Sequence, residues 1–264
     1  MLKEILSRLP AEHPWQDRVH YFSTIGSTND EARRLARQGA PSGTVLIAQT
    51  QTGGHGRRGR SFHSPASSGI YLSVILRPNC AATELMHLTC AAAVAVCDAV
   101  ERSAGFRPGI KWTNDIVHGN RKLGGILTEL GFHLQGSVDY VIIGIGLNCS
   151  QQLTDFPQEI QEFAGSLEMF SEDPIDRSAV ASGIILSLSQ LEQTLLTAKD
   201  HILRQYRADC ITLGKDVLLL RGDEVRYGHA LDIDSEGGLI VQFDTGTETV
   251  NSGEISVRGM YGYI

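Results

Sequence analysis

Between Ile110 and Leu147 the chain is a succession of short apolar runs with no helical period. Ile110-Lys111-Trp112, Ile116-Val117, Leu123–Leu130 and Val138–Leu147 are separated by turn residues at Gly119-Asn120 and around Gly131 and Gly136. Runs so short and so closely punctuated predict strands joined by tight turns, hence a largely antiparallel sheet at the centre of the fold. Val19–Phe22, Val45–Gln49 and Ile70–Leu76 read as further strands. Ser27-Thr28-Asn29-Asp30-Glu31 opens a helix, with Thr28 and Glu31 at capping-box spacing and Gly39 as the stop. Leu2, Ile5, Leu6 and Leu9 make a short helical stripe, ended by Pro10. Leu85–Glu101, rich in alanine, predicts a buried helix, and residues 157–208 read as helical, with Ile184, Ile185, Leu188, Leu191 and Leu195 on one face. Residues 50–68 read as loop. From Leu213 onward, apolar runs alternate with turns at Arg221-Gly222-Asp223, Ser235-Glu236-Gly237-Gly238 and Thr245-Gly246, the pattern of a small all-β module of about five strands. The expected class is therefore α+β, a mixed sheet with helices followed by a small β unit. The boundary falls near 209–213, dividing the chain into 1–210 and 211–264.

The 264 residues suffice for one ordinary domain and a small one. An apolar share of 42% with 20% charged residues suits a folded chain and not a disordered one. No uninterrupted apolar run reaches the ~18 residues of a membrane span, so no membrane partner is expected. Charges enter the first residues too early for a secretory signal. A net charge of -7 argues against a general nucleic-acid coat. The five cysteines, Cys80, Cys90, Cys97, Cys149 and Cys210, are odd in number and form no CxxC; they read as reduced core thiols of a cytoplasmic protein.

Three segments carry chemistry. Gln51-Thr52-Gly53-Gly54-His55-Gly56-Arg57-Arg58-Gly59-Arg60 puts three arginines among glycines in an acidic chain. Glycines let backbone N–H groups wrap an oxyanion, and arginine forks suit phosphate or carboxylate. A solvated basic loop is an equal alternative on composition alone, and the spacing fits neither a Walker A loop nor a dinucleotide fingerprint. Lys111-Trp112-Thr113-Asn114-Asp115 sets an ammonium at a strand end beside a turn, where a merely solvated lysine is the ordinary alternative. Lys122-Leu123-Gly124-Gly125-Ile126-Leu127-Thr128-Glu129 and Gly144-Ile145-Gly146-Leu147-Asn148 place glycines inside apolar strands, which marks close approach by a ligand or a backbone, or else a bulge.

In this order, together with Ser27-Thr28-Asn29 and the tail Gly253-Glu254-Ile255-Ser256, these segments resemble the biotin–protein ligases, also called biotin–[acetyl-CoA-carboxylase] ligases. The resemblance covers roughly residues 20–264. It implies a class II synthetase-like catalytic domain followed by a small SH3-like β-barrel. It also implies an activity in two steps: biotin and ATP give biotinyl-5′-AMP, and a lysine of a biotin carboxyl carrier domain then takes the biotinyl group. By the same resemblance Arg57 and Lys111 are the catalytic cations. Ser27, Thr28, Asn29, Gln51, His55, Gly56, Arg57, Lys111, Gly124 and Gly125 bind biotin. Arg57, Arg58, Arg60, Phe62, Lys111 and Asn148 bind ATP and the adenylate, with Mg²⁺ held mainly by phosphate oxygens and no protein metal ligand assigned.

Three positions depart from the family pattern. His55 stands for an arginine, Thr113 for a proline and Phe62 for a tryptophan. They bear on affinity more than on activity. Only about 20 residues precede the first matched strand, too few for a DNA-binding domain of some three helices, so no specific DNA partner is expected. A lipoate ligase or octanoyltransferase and a noncatalytic biotin-binding module are the competing readings, and monomer and dimer both stay open.

Overall fold

The computed structural model describes residues 1–221, 224–251 and 256–259. Seven strands form one mixed sheet: β1 (Val19–Phe22), β2 (Thr44–Ala48), β3 (Gly69–Leu76), β4 (Gly109–Lys111), β5 (Asp115–His118), β6 (Arg121–Phe132) and β7 (Val138–Asn148). Their order is β1-β2-β3-β7-β6-β5-β4. β1 and β2 run parallel, and the remaining neighbours are antiparallel, as the run of tight turns from Ile110 to Leu147 requires.

After the short helix α1 (Leu2–Arg8), helix α2 (Thr28–Arg37) covers one face of the sheet, where Ala32 and Ala36 pack on Leu46, Ile75, Tyr140 and Ile142. Helices α3 (Leu88–Ala104) and α4 (Arg177–Thr194) cover the other, over Val45, Ile47, Leu72, Val74, Val141 and Ile143. With both faces covered, β3 is buried along its whole length, which is why it reads as continuous apolar sequence and not as an alternation. Helix α3 is buried nearly all round, so its sequence shows little amphipathic period. The 23 residues Ala82–Ala104 are long and apolar enough to cross a membrane by length and composition. The sequence reading placed a buried helix at Leu85–Glu101, and the helix is indeed a core element, packed against α4 and α5 (Lys199–Asp209).

The cysteines are free, four of them buried and Cys80 half-buried. Burial pushes every one of these thiols up, Cys149 to about 12, so they stay protonated at neutral pH.

Two expectations change. The cap of α2 is Ser27, whose hydroxyl accepts from the Asp30 N–H, and not the Thr28–Glu31 pair, because Thr28 turns toward β3. Residues 157–208 are not continuously helical: short 3₁₀ turns at Gln158–Ile160 and Leu167–Met169 precede α4 and α5. Pro157, Gly165 and Pro174 punctuate this stretch, and Gly165 lies against Arg121, where a Cβ would come within 2.9 Å of that side chain.

The small β unit is an antiparallel sheet of β8 (Asp216–Arg221), β9 (Glu224–Ile233), β10 (Leu239–Phe243), β11 (Gly246–Val250) and β12 (Ser256–Gly259), in the order β11-β10-β9-β8-β12. This is the five-stranded module expected. Gly222 and Asp223 of one expected turn, and Gly253, Glu254 and Ile255 of the tail, lie outside the described residues.

Candidate active site

The expected site segments converge on a cavity of about 610 Å³ above the middle of the large sheet. Its two ends differ in chemistry.

One end is neutral and polar. Ser27, Thr28 and Asn29 begin α2, and all three are buried. Thr28 N and Oγ1 lie 2.8 and 3.1 Å from Gln51 Oε1, and Gln51 Nε2 donates to Ser64 Oγ at 3.1 Å. Asn29 Nδ2 donates to Glu129 Oε2 at 2.8 Å. The strand glycines form the floor beside these groups. A Cβ at Gly144 would lie 2.0 Å from Asn29 Oδ1, and one at Gly146 would lie 2.6 Å from the Phe62 ring. Both sit in unbroken register with β3 and β6, so close approach, not a bulge, explains them.

The other end is cationic. Arg57, Arg58, Arg60, Lys111 and Lys122 line it against two carboxylates, Asp115 and Glu159. Lys111 ends β4 and is 7% exposed. Arg57 is half-buried, and its Nη1 donates to Asn114 Oδ1 at 3.1 Å. Burial, and then the neighbouring Arg58, holds the Arg57 guanidinium below its ordinary value, yet an arginine remains charged at any working pH. Lys122 Nζ pairs with Asp115 Oδ1 at 2.6 Å. The arginine loop folds as a small hairpin, with Gly56 N to Arg60 O at 2.7 Å and Phe62 N to Gly54 O at 2.9 Å.

The turn that carries Lys111 is clasped from the C-terminal side. Trp112 N donates to Thr212 Oγ1 at 2.9 Å, Trp112 Nε1 to Gly237 O at 3.0 Å, and Tyr206 Oη to Thr113 O at 3.0 Å. Gly237 is in the left-handed region, and a Cβ there would lie 2.8 Å from Cys90 Sγ, so this turn of the small sheet seats only a glycine.

Of the expected residues, Ser27, Thr28, Asn29, Gln51, His55, Gly56, Arg57, Arg58, Arg60, Phe62, Lys111 and Gly125 line the cavity. Gly124 and Asn148 are not among them. Gly124 faces β7, where a Cβ would lie 2.5 Å from Gly146 O. The Asn148 amide is engaged by Gly165 O at 2.9 Å and by Gln151 Nε2 at 3.2 Å. Asn114, Asp115, Lys122, Gly144 and Gly146 also line the cavity; they lie within the motifs, and the sequence reading named none of them as a site residue, marking only the strand glycines for close approach or a bulge. Glu159, Ile160 and Phe163 were missed outright. They belong to the stretch read as helix, and no motif marks them. Backbone bonds at Lys122 bring them in, since Lys122 N donates to Phe163 O and Gly165 N to Lys122 O.

Comparison with known proteins agrees with this geometry. Residues 21–148 match the Biotin/lipoate A/B protein ligase family, and residues 212–258 match the Biotin protein ligase C terminal domain. The chain is 37% identical to the bifunctional ligase/repressor BirA of Bacillus spizizenii, over 90% of this chain and 73% of that protein. It is 34% identical to the biotin–[acetyl-CoA-carboxylase] ligase of Mycobacterium tuberculosis, over 87% of this chain and 85% of that protein. Among solved structures it resembles a biotin protein ligase from Aquifex aeolicus in complex with biotin and ATP, with a TM-score of 0.78 and 28% identity, over 92% of this chain and 99% of that one.

Proposed function

The chain belongs to the biotin protein ligases, and from that premise we infer that it activates biotin with ATP as biotinyl-5′-AMP and transfers it to a lysine of a carboxylase's biotin carrier domain. The observation that carries this reading is a single cavity with a neutral hydrogen-bonding end and a cationic end.

The chemistry asks for both. A cyclic urea offers one acceptor and two donors, and a dry pocket must pair them; Ser27, Thr28, Asn29 and Gln51 supply matching groups. The first step brings the biotin carboxylate onto the α-phosphate of ATP. Two unit negative charges ~4 Å apart repel by ~4 kcal/mol at an effective dielectric near 20. Arg57 and Lys111 counter that repulsion and stabilise the charge that builds up as the carboxylate oxygen bonds to phosphorus and pyrophosphate leaves. In the second step the acceptor amine attacks the acyl carbon and AMP departs. The mixed anhydride is already activated, so no protein nucleophile is required, in keeping with the protonated, mostly buried cysteines.

We assign Arg58, Arg60 and Phe62 to the adenylate, with His55 and Gly56 over the biotin carboxylate. Mg²⁺ enters as part of the nucleotide substrate. In this reading phosphate oxygens and water supply most of its ligands. We propose that residues 1–210 form the catalytic unit and 211–264 a second one. The test is pyrophosphate exchange with biotin and then with lipoate or octanoate, followed by the mass of a carrier domain. Biotin-dependent exchange and one biotin-sized increment are expected. Transfer of lipoate but not biotin would sink the reading.

The loop from Thr50 to Ser64 offers a further prediction. It has no apolar side chain larger than Phe62 to offset the ~1–2 kcal/mol per residue that ordering costs, and its arginines repel one another until an anion arrives. Hydrogen exchange at residues 53–60 is expected to be fast without ligand and slow with the adenylate bound. Equal, strong protection in both states would show a preformed loop.

A further inference from the structure

β3 carries a serine in the middle of an otherwise apolar strand. Ser73 is 0% exposed, and a hydroxyl so placed needs partners. It has two, both in the first turn of α2: Ser73 Oγ lies 2.7 Å from Thr28 Oγ1 and 2.6 Å from Asn29 Oδ1. The Asn29 amide donates in turn to Glu129, whose other carboxylate oxygen accepts from Arg33 Nη2 at 2.5 Å. Across the sheet Ser73 is in register with Gly144, the position with no room for a Cβ beside Asn29. Asn29 is therefore held on three sides: by a hydroxyl on its carbonyl, a carboxylate on its amide and bare backbone at its tip. Thr28 is held as well. With the single Ser73 proton on Asn29 Oδ1, the Thr28 hydroxyl donates to Ser73 Oγ, and the Thr28 N–H donates to Gln51 Oε1. Thr28, Asn29 and Gln51 line the cavity, whereas Ser73 and Glu129 do not.

We propose that Ser73 and Glu129 are positioning residues that make this end of the cavity specific for a urea-headed acid. The proposal rests on the biotin-ligase reading. Small hydroxyls and amides left to rotate would satisfy one another. Fixed from behind, they present set donors and acceptors to a urea ring. A plain aliphatic acid has nothing to offer these groups, and each one left unpaired in a dry pocket counts against it. Selectivity then comes from groups that never touch the ligand.

The experiment is pyrophosphate exchange on the full chain, with biotin as substrate and octanoate as competitor. In Ser73→Ala the KM for biotin is expected to rise about 10–30-fold, with kcat within about threefold and the octanoate inhibition constant unchanged or lower. Glu129→Ala should shift the same ratio in the same direction by a smaller factor. Ser73→Cys, which keeps the size and a weak donor, should recover part of the loss. If biotin and octanoate weaken together, the effect is general damage to packing and the proposal fails; it fails equally if the biotin KM does not move. Should Ser73→Ala not fold, as judged by circular dichroism, Glu129→Ala decides, since that side chain is partly exposed. A parent chain without biotin-dependent exchange would instead overturn the biotin-activation reading and this proposal with it, an outcome distinct from an unmoved biotin KM in Ser73→Ala.

Discussion

Replacing Lys111 with alanine is expected to slow biotinyl-adenylate formation about 10²–10³-fold, the usual cost of removing one preorganised donor from a site where charge develops. Three features of the structure set that size. Lys111 is the last residue of β4, so a strand fixes its backbone. It is 7% exposed, so little water screens its ammonium. The turn after it is held by Thr212, Gly237 and Tyr206, which keeps the strand end from drifting. The loss should fall mainly on kcat of the pyrophosphate-exchange step, because the charge it counters peaks in the transition state. Lys111→Arg, with the charge retained on a longer fork, should lie between the two. If Lys111→Ala turned over like the parent, the role given to Lys111 would be wrong.

Arg57→Ala should cost a similar factor, about 10²–10³, in the same measurement. Arg57 reaches into the cavity and is steadied by Asn114, whose own amide is tied to Ile126 O at 3.0 Å. Arg57→Lys keeps the charge but loses the planar fork, and should recover only part of the rate. Arg60→Ala is the internal control. Arg60 is exposed at the outer edge of the loop, where water screens it, so its loss should cost far less. Equal losses at Arg57 and Arg60 would mean that the loop acts as a diffuse positive patch and not through one aimed guanidinium.

The sheet could be read in advance because its strands obey local rules. Gly119-Asn120 and the glycines around 131 and 136 leave the chain between Ile110 and Leu147 few alternatives to tight antiparallel turns. Where local rules compete, the reading slipped. Thr28 and Glu31 have the spacing of a capping box, but Thr28 meets Ser73 from a strand more than forty residues away, and Ser27 takes the cap. The stretch from 157 has the composition of a helix, yet its backbone bonds to Lys122, a partner that no local pattern reveals. The motif residues of the site were legible because glycine and arginine are costly where they are not used. Glu159, Ile160 and Phe163 were not, because an ordinary surface carries such residues without consequence. Ser73 was invisible for the opposite reason: a single serine in an apolar strand resembles a tolerated substitution until its two partners are seen.

The clasp on the Lys111 turn also has an order in time set by the order of the chain. The ribosome delivers residue 111 long before residues 206, 212 and 237, and the three bonds that hold the turn cannot exist until the last of these has emerged. A nascent chain that has not reached residue 237 therefore lacks at least the Gly237 bond on the turn beside Lys111. Domains form in the order in which they are made, and the stretch that carries Gly237 follows the one that carries Lys111. The full set of three bonds thus waits for residue 237, and a copy cut short before it holds Lys111 beside an incompletely held turn.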